Sequence, residues 1–300
     1  MILDGALATE LERRGADLHD PLWSAKLLLE QPSLIRAVHR DYFAAGADVA
    51  TTATYQATFE AFGRRGIDAR SAAQLMRDSV ALAIAARDEF WSDASNRIDR
   101  LPPLIAASVG PFGAMLADGC EYRGDYGLSD SELVDFHRPR LQVLVKSGAD
   151  LLACETIPSL REAIALARLL QEFPDASAWI SFSCRDAEHT CEGQRIGECV
   201  ARLNEFAQVV SVGVNCTRPE YIGALLKQMR DHTDKPLLVY PNSGEHYDAG
   251  AKRWRGRADA TPFAEQARHW HAAGARLIGG CCRTTPDDIR SLRTGLSRCV

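Results

Sequence analysis

The sequence alternates strictly between short apolar runs rich in β-formers and longer stretches whose apolar residues recur at helical spacing. The eight apolar runs are 1–4, 48–54, 104–109, 149–155, 178–184, 209–216, 236–241 and 276–281. The eight helical stretches are 33–45, 71–91, 129–147, 159–173, 197–207, 220–232, 261–273 and 286–297. Such alternation predicts an α/β fold with a parallel sheet and helical crossovers, and eight units are enough to close the sheet into a (β/α)8 TIM barrel.

An open, doubly wound sheet is the other arrangement that this alternation allows. A chain of 300 residues fits one barrel, so we expect a single domain over residues 1–300. Glycines mark the points where helices pass into strands, in the segments "AAGADVA", "KSGADLLA" and "AAGARLIG". Pro139 lies inside the stretch 129–147 and is expected to kink or split that helix.

Composition and charge limit the kinds of molecule that this protein is expected to bind. The chain is 46% hydrophobic and 25% charged, which is ordinary for a soluble globular protein, and its net charge is −5. No cluster of Lys and Arg is interleaved with aromatic residues, so we expect small-molecule substrates and no nucleic acid. No leader or membrane span is apparent, so we expect no membrane contact, a cytoplasmic location, and a monomer or small homo-oligomer.

The cysteines point to chemistry at the end of the last predicted strand. The chain has nine cysteines, and in a reducing compartment they favour buried thiols, metal ligands or catalysis over disulfides. In the segment "IGGCCRTT", Gly279 and Gly280 would free the backbone so that Cys281 and Cys282 need not point to opposite faces. Cys216 ends another predicted strand. Three thiolates with an open fourth position predict a catalytic Zn2+ site at the carboxyl-terminal mouth of the barrel.

Other polar residues also end predicted strands and would meet at the same mouth. They are Asp4, Thr52, Thr54, Glu155, Asn215, Tyr240 and Asn242. Singly, Asp4 could be a turn former and Glu155 a buried carboxylate at a helix entry. Together, beside a thiolate metal site, these two carboxylates predict a binding site for the ammonium group of an amino acid.

Other interpretations of the cysteines remain open from the residues alone. Cys281 and Cys282 could form a vicinal disulfide, or be buried thiols with no chemistry. A thiol redox enzyme would use the pair as a dithiol. A barrel that holds zinc and binds amino acids without turnover is the alternative that is not an enzyme.

Several segments together carry a family likeness. They are "LDGALATEL", "GPFGAMLADGCEYRGDY", "LLACETIP", "GVNCT", "YPNSGEHYD" and "GGCCRTTPDDI". From first strand to last helix, the chain resembles the homocysteine S-methyltransferases. The resemblance implies a zinc ion held by Cys216, Cys281 and Cys282. It also implies a substrate site in which Asp4, Gly5 and Glu155 bind the amino group of homocysteine and Thr52 and Asn215 line the pocket.

Within that superfamily the chain is most similar to the short enzymes that use S-methylmethionine. The resemblance implies methyl transfer from S-methylmethionine, and less readily from S-adenosylmethionine, to the thiol of L-homocysteine, giving methionine. The loop 110–127 fits a cationic donor, because carboxylates and aromatic rings both favour a desolvated sulfonium. Those residues are Asp118, Glu121, Tyr122, Asp125 and Tyr126.

Two positions depart from the family pattern. Ala8 stands where relatives usually have glycine, and Arg218 stands where a proline is common. Neither is a proposed ligand, so the departures bear on substrate details more than on the chemistry.

Overall fold

The computed structural model describes residues 1–248, 253–255, 259 and 261–296. Its strands are β1 Val49–Thr51, β2 Leu104–Val109, β3 Leu151–Ile157, β4 Ala178–Phe182, β5 Val209–Asn215, β6 Leu237–Tyr240, β7 His246–Asp248, β8 Arg253–Arg255 and β9 Ala275–Ile278. Its helices are α1 Leu7–Arg13, α2 Leu27–Glu30, α3 Pro32–Ala45, α4 Phe59–Gly63, α5 Ala69–Ser92, α6 Phe112–Leu116, α7 Asp130–Leu144, α8 Leu160–Leu170, α9 Ile196–Leu203, α10 Pro219–Arg230, α11 Phe263–Ala272 and α12 Pro286–Leu296. Short 3₁₀ turns lie at Trp23–Lys26, Ala94–Arg97 and Cys120–Tyr122.

The central sheet has seven parallel strands, in the order β1-β2-β3-β4-β5-β6-β9. The predicted run at residues 1–4 does not form a full strand, but it pairs with both edges of this sheet. Ile2 forms a parallel bridge with Ile278 of β9, and Leu3 forms one with Val49 of β1. The strands β7 and β8 form a separate antiparallel pair that the alternating pattern does not predict.

All eight predicted helical stretches contain a helix, each within a few residues of the predicted bounds. Pro139 does not split its helix, because α7 runs unbroken through it, so the expectation of a split is wrong. The carbonyl that loses its helical partner belongs to Asp135, because proline has no N–H to donate. Four short helices, α1, α2, α4 and α6, were not predicted, since one or two turns carry too little periodicity to detect.

The helix-to-strand glycines adopt the backbone conformation that their position requires. Gly46, Gly148 and Gly274 have φ values of 118°, 90° and 117°. This left-handed region is open to glycine at little cost, and it turns the chain sharply from a helix into the next strand.

Apolar residues fill both faces of the sheet. The larger cluster lies between the sheet and its helices, and includes Ala50, Ile105 and Val212. The smaller cluster lies on the opposite face and consists of Leu3, Val49, Ala106, Ala153, Trp179, Leu238 and Tyr240. Neighbours along a strand fall into different clusters because successive side chains point to opposite faces. Across the described residues, no helix is both long enough and apolar enough to cross a membrane.

Candidate active site

A cavity of about 190 Å³ opens at the carboxyl ends of the strands. Seven of the eight predicted site residues line it: Asp4, Gly5, Thr52, Glu155, Cys216, Cys281 and Cys282. They come from the amino-terminal bridge, from β3, and from the segments that follow β1, β5 and β9. Convergence of residues so distant in sequence is what a parallel sheet with crossovers produces at one end.

Three sulfurs form a compact cluster in this cavity. The Sγ atoms of Cys216, Cys281 and Cys282 all lie within 4.8 Å of one another. The Cys216 and Cys282 sulfurs are 3.6 Å apart, and those of Cys281 and Cys282 are 3.9 Å apart. This group could hold a metal ion, and the structure brings the two adjacent cysteines together with Cys216.

Gly279 and Gly280 lie beyond the end of β9, directly before the two adjacent cysteines. Neither Gly279 nor Gly280 lies in the left-handed region; the cluster residue that does is Cys216, with φ 46°. The glycines are needed for close packing instead. A Cβ on Gly279 would lie 2.5 Å from Leu3 Cβ, and one on Gly280 would lie 2.3 Å from Thr284 Oγ1. Strain at a non-glycine residue such as Cys216 is typical of functional sites.

The three thiols differ in acidity. The pKa of Cys216 lies well below its ordinary value because the thiols of Cys281 and Cys282 hydrogen bond to its sulfur, with a further contact from Tyr122. Those same contacts raise the pKa values of Cys281 and Cys282. The Tyr122 hydroxyl is 3.2 Å from Cys216 Sγ. The three thiols therefore form one coupled group, in which the pKa of Cys216 is lowered and those of Cys281 and Cys282 are raised.

The two predicted carboxylates are buried and face the same cavity. Asp4 accepts hydrogen bonds from the backbone N–H of Thr51 at 2.8 Å and from the Thr51 hydroxyl. Glu155 accepts a hydrogen bond from the hydroxyl of Ser108. Burial raises the pKa of Asp4 to about 8 and that of Glu155 to about 7. A cation that enters the cavity would favour the charged form of both groups.

Asn215 is the predicted residue that does not line the cavity. Its Oδ1 accepts hydrogen bonds from Thr156 N at 2.7 Å and Ser181 Oγ at 2.8 Å, and its Nδ2 donates to Thr156 Oγ1 at 2.7 Å. Thr156 does line the cavity and has φ 60°, a strained value for threonine. Asn215 therefore lies behind the wall and holds Thr156 in place.

The charged residues of the cavity wall are of one sign. Among the described residues that line it, five are acidic and none is Lys or Arg: Asp4, Glu12, Asp20, Glu121 and Glu155. Aromatic rings of Trp23, Tyr55 and Tyr122 complete the wall, and the first two meet edge to face at 6.0 Å. Such a wall favours ligands that carry positive charge.

A family model described as homocysteine S-methyltransferase matches residues 1–296 of this chain. The chain belongs to the homocysteine S-methyltransferase family. The enzyme is a methyltransferase that acts on homocysteine.

Individual relatives agree with the family over nearly the whole chain. The homocysteine S-methyltransferase YbgG of Bacillus subtilis is 54% identical, covering 97% of this chain and 93% of its own. The homocysteine S-methyltransferase of Escherichia coli is 51% identical, covering 98% and 94%. The crystal structure of the metallated form of MmuM, the E. coli homocysteine methyltransferase, superposes with a TM-score of 0.88 at 48% identity, covering 98% and 95%.

Several lining residues of this methyltransferase were missed by sequence reasoning. Trp23 begins the 3₁₀ turn Trp23–Lys26 before α2, where no strand end points to it. Tyr55 and Gln56 lie a few residues beyond β1. Extending the search from strand ends into the loops that follow them would have found the last two.

The loop 110–127 contributes only part of what its composition predicts. Glu121 and Tyr122 line the cavity. Asp118 and Asp125 are exposed and do not line it, and the Tyr126 ring packs against Phe112 at 5.2 Å. The acidic and aromatic residues of this loop therefore do not all face the cavity.

The two departures from the family pattern occupy different settings. Ala8 is buried in α1 and lines the cavity, so it bears directly on the shape of the site. Arg218 precedes α10, and its half-exposed side chain pairs with Glu220 at 3.2 Å and does not line the cavity.

Proposed function

We propose that this enzyme transfers a methyl group from S-methylmethionine to the thiol of L-homocysteine, giving methionine, and that Cys216, Cys281 and Cys282 hold a zinc ion for this reaction. The observation that carries the proposal is the three-sulfur cluster in an acidic, aromatic cavity that no Lys or Arg lines among the described residues. Family membership supports homocysteine as the methyl acceptor.

The sulfur geometry fits zinc. Two sulfurs at about 2.3 Å from a tetrahedral zinc ion lie about 3.8 Å apart. The observed separations of 3.6 and 3.9 Å bracket that value. Soft thiolate ligands also select zinc over magnesium or calcium. When bound, zinc would keep the homocysteine thiol deprotonated near neutral pH.

Glu155 and Asp4 would bind the homocysteine ammonium, with Gly5 and Thr52 beside them. Both carboxylates are buried at the same end of the sheet as the sulfurs, and an ammonium offers three donors to carboxylate oxygens. Gly5 keeps this wall thin: a Cβ there would lie 2.9 Å from Tyr42 Cε1. Asn215 would act indirectly, as a positioning residue for Thr156.

The chemical step is a displacement at carbon. The sulfur of homocysteine, having lost its proton to solvent, donates an electron pair to the donor's methyl carbon. The sulfonium S–CH3 bond breaks, and its electron pair stays on the leaving sulfur, which becomes the thioether of a second methionine. No general base is needed at that step, so the residues of the cavity contribute by holding sulfur and methyl on one line, an effect worth about 7–11 kcal/mol when complete.

The donor preference follows from the charge of the wall. S-methylmethionine carries a sulfonium, an ammonium and a carboxylate, so its net charge is positive. Glu121, Tyr122, Tyr55 and Trp23 present a carboxylate and ring faces to it. Betaine has no net charge, and S-adenosylmethionine needs room for an adenosyl group for which the loops offer no glycine-rich signature. We expect the order S-methylmethionine, S-adenosylmethionine, betaine.

We further propose that the sheet is a closed eight-stranded (β/α)8 barrel in a single domain over residues 1–300. The bridges of Ile2 to Ile278 and of Leu3 to Val49 support closure, since they join the two edge strands. We propose a cytoplasmic enzyme, monomeric or a small homo-oligomer, because a working cluster of free thiols needs a reducing compartment.

The test is methionine formation from homocysteine with the three donors at equal concentration, together with elemental analysis of the purified protein. We expect one zinc per chain and a clear preference for S-methylmethionine. A preference for betaine or S-adenosylmethionine would overturn the donor assignment. A reversible disulfide between Cys281 and Cys282 with no metal requirement and no methionine formation would favour the redox alternative. Bound metal with no turnover on any donor would favour a binding protein.

A further inference from the structure

Two buried acceptor atoms in the cavity wall have no hydrogen-bond partner. They are Oε1 of Gln56 and Oε2 of Glu121. Both residues line the cavity, with exposures of only 8% and 9%. Buried polar atoms are nearly always paired, because leaving one unpaired costs free energy. Two orphan acceptors at one cavity therefore indicate a ligand that brings donors.

The orientation of the Gln56 amide is fixed by its other end. Its Nε2 donates to the carbonyl of Ala114 at 2.9 Å. A flipped amide would place two oxygens against each other, so Oε1 is the atom left without a partner. An amide oxygen can only accept, so the ligand group that meets it must carry an N–H or O–H.

Helix α6 holds both acceptors on one wall. Gln56 bonds to Ala114 of this helix, and Gly113, its neighbour, packs against the turn that carries Glu121. A Cβ on Gly113 would lie 2.5 Å from Glu121 N, so only glycine allows that approach. The positions of Gln56 and Glu121 are thus tied to the same rigid element.

This pair differs from the carboxylates assigned to homocysteine. Asp4 and Glu155 already accept hydrogen bonds from Thr51 and Ser108, which belong to β1 and β2. Gln56 and Glu121 belong to the loops beyond those strands. The proposed reaction brings two amino acids together, so two separate sets of acceptors in the cavity match its two substrates.

We propose that Gln56 and Glu121 form a subsite for the α-ammonium group of the methyl donor. This inference rests on the proposed function and goes beyond it. It names the residues through which the enzyme would select a sulfonium donor that is also an amino acid. A donor without N–H groups leaves both acceptors unpaired in a site without water, and the enzyme would therefore discriminate strongly against such a donor. Betaine is such a donor.

The experiment compares S-methylmethionine with 4-dimethylsulfoniobutanoate, which is the same molecule without its amino group. The metal-loaded enzyme is assayed for methionine formation with each donor, as wild type, Gln56→Leu and Glu121→Gln. We expect each variant to lower kcat/KM for S-methylmethionine about 10- to 100-fold, the range for losing a hydrogen bond to a charged group. Gln56→Leu should use the deamino donor as the wild type does, and Glu121→Gln, whose carboxylate also faces the sulfonium, should lose less with the deamino donor than with S-methylmethionine. The KM for homocysteine and the metal content should not change.

Asp125→Asn is the matched control, since it removes a carboxylate from the same loop at an exposed position outside the cavity. An equal loss with both donors, or no loss in either variant, would overturn the subsite. Glu121→Gln keeps the shape of the side chain, so a folding defect in Gln56→Leu does not decide the matter. If the wild type makes no methionine from S-methylmethionine, the proposed function itself fails. If the wild type does make it, but the variants prefer S-methylmethionine over the deamino donor as strongly as the wild type does, the subsite alone fails.

Discussion

The hydroxyl of Tyr122 lies 3.2 Å from the sulfur of Cys216, so the loop 110–127 reaches the proposed metal ligands directly. Tyr122 belongs to the 3₁₀ turn Cys120–Tyr122, which packs against α6. Outer contacts of this kind orient metal ligands and tune their basicity. The loop proposed to face the donor and the cluster proposed to activate the acceptor are therefore in direct contact.

Tyr122→Phe should weaken metal binding by about tenfold, because it removes the hydroxyl contact and keeps the ring. The measurement is competition for zinc with a chelator of known affinity. Tyr221→Phe, on α10, is the control and should bind zinc as the wild type does. Equal affinities in Tyr122→Phe and wild type would show that the contact does not support the metal.

Cys282→Ala should abolish metal binding and activity together, because two sulfurs with two open positions hold zinc far more weakly than three. Elemental analysis and the methionine assay on the same preparation check this. Cys199→Ala removes a buried thiol of α9 outside the cluster and should retain both properties. Full zinc occupancy with normal turnover in Cys282→Ala would remove it from the ligand set.

Glu155→Gln should raise the KM for homocysteine about 10- to 100-fold while the metal content stays the same, because a neutral amide replaces one partner of a buried charge pair. Steady-state kinetics at saturating donor measure the effect. Glu198→Gln, at an exposed position of α9, is the control. An unchanged KM would transfer the role to Asp4, and Asp4→Asn would then show the increase.

His39 should make the fold less stable in mild acid. It is fully buried, neither ring nitrogen has a hydrogen-bond partner, and burial lowers its pKa from 6.5 to about 4. Between these values the unfolded chain takes up the proton and the folded chain does not, so stability falls as pH decreases from 6.5 toward 4. The loss from this group alone is on the order of 3 kcal/mol.

His39→Leu should therefore reduce the difference in unfolding free energy between pH 6.5 and pH 4, measured by urea denaturation of the metal-free protein. Burial also lowers the pKa of His137, so part of the acid sensitivity should persist. His271→Leu, at an exposed position, should follow the wild-type curve. A variant at His39 with the full wild-type pH dependence would contradict the assignment.

Periodicity predicted the long elements because a helix of three turns or a buried strand repeats its pattern often enough to be recognised. The cysteine cluster was equally accessible, since Cys216, Cys281 and Cys282 stand at strand ends. Asn215 was placed in the pocket because strand position alone does not tell which way a side chain at the rim points. Gln56 was not predicted as a site residue, because its importance rests on an unpaired oxygen atom. Such an atom can be identified only from the hydrogen bonds of the three-dimensional structure.

The bridges made by Ile2 and Leu3 have a consequence for the order in which the active site assembles. The backbone N–H of Leu3 bonds to the carbonyl of Ile278, so the segment 1–4 finds this partner only when β9 has emerged from the ribosome. Asp4 follows these bridges directly, and Cys281 and Cys282 follow the other partner strand. The carboxylate of Asp4 and the sulfurs of Cys281 and Cys282 therefore reach the cavity in one late event. A partly synthesised chain has neither a complete cavity wall nor a complete set of sulfurs.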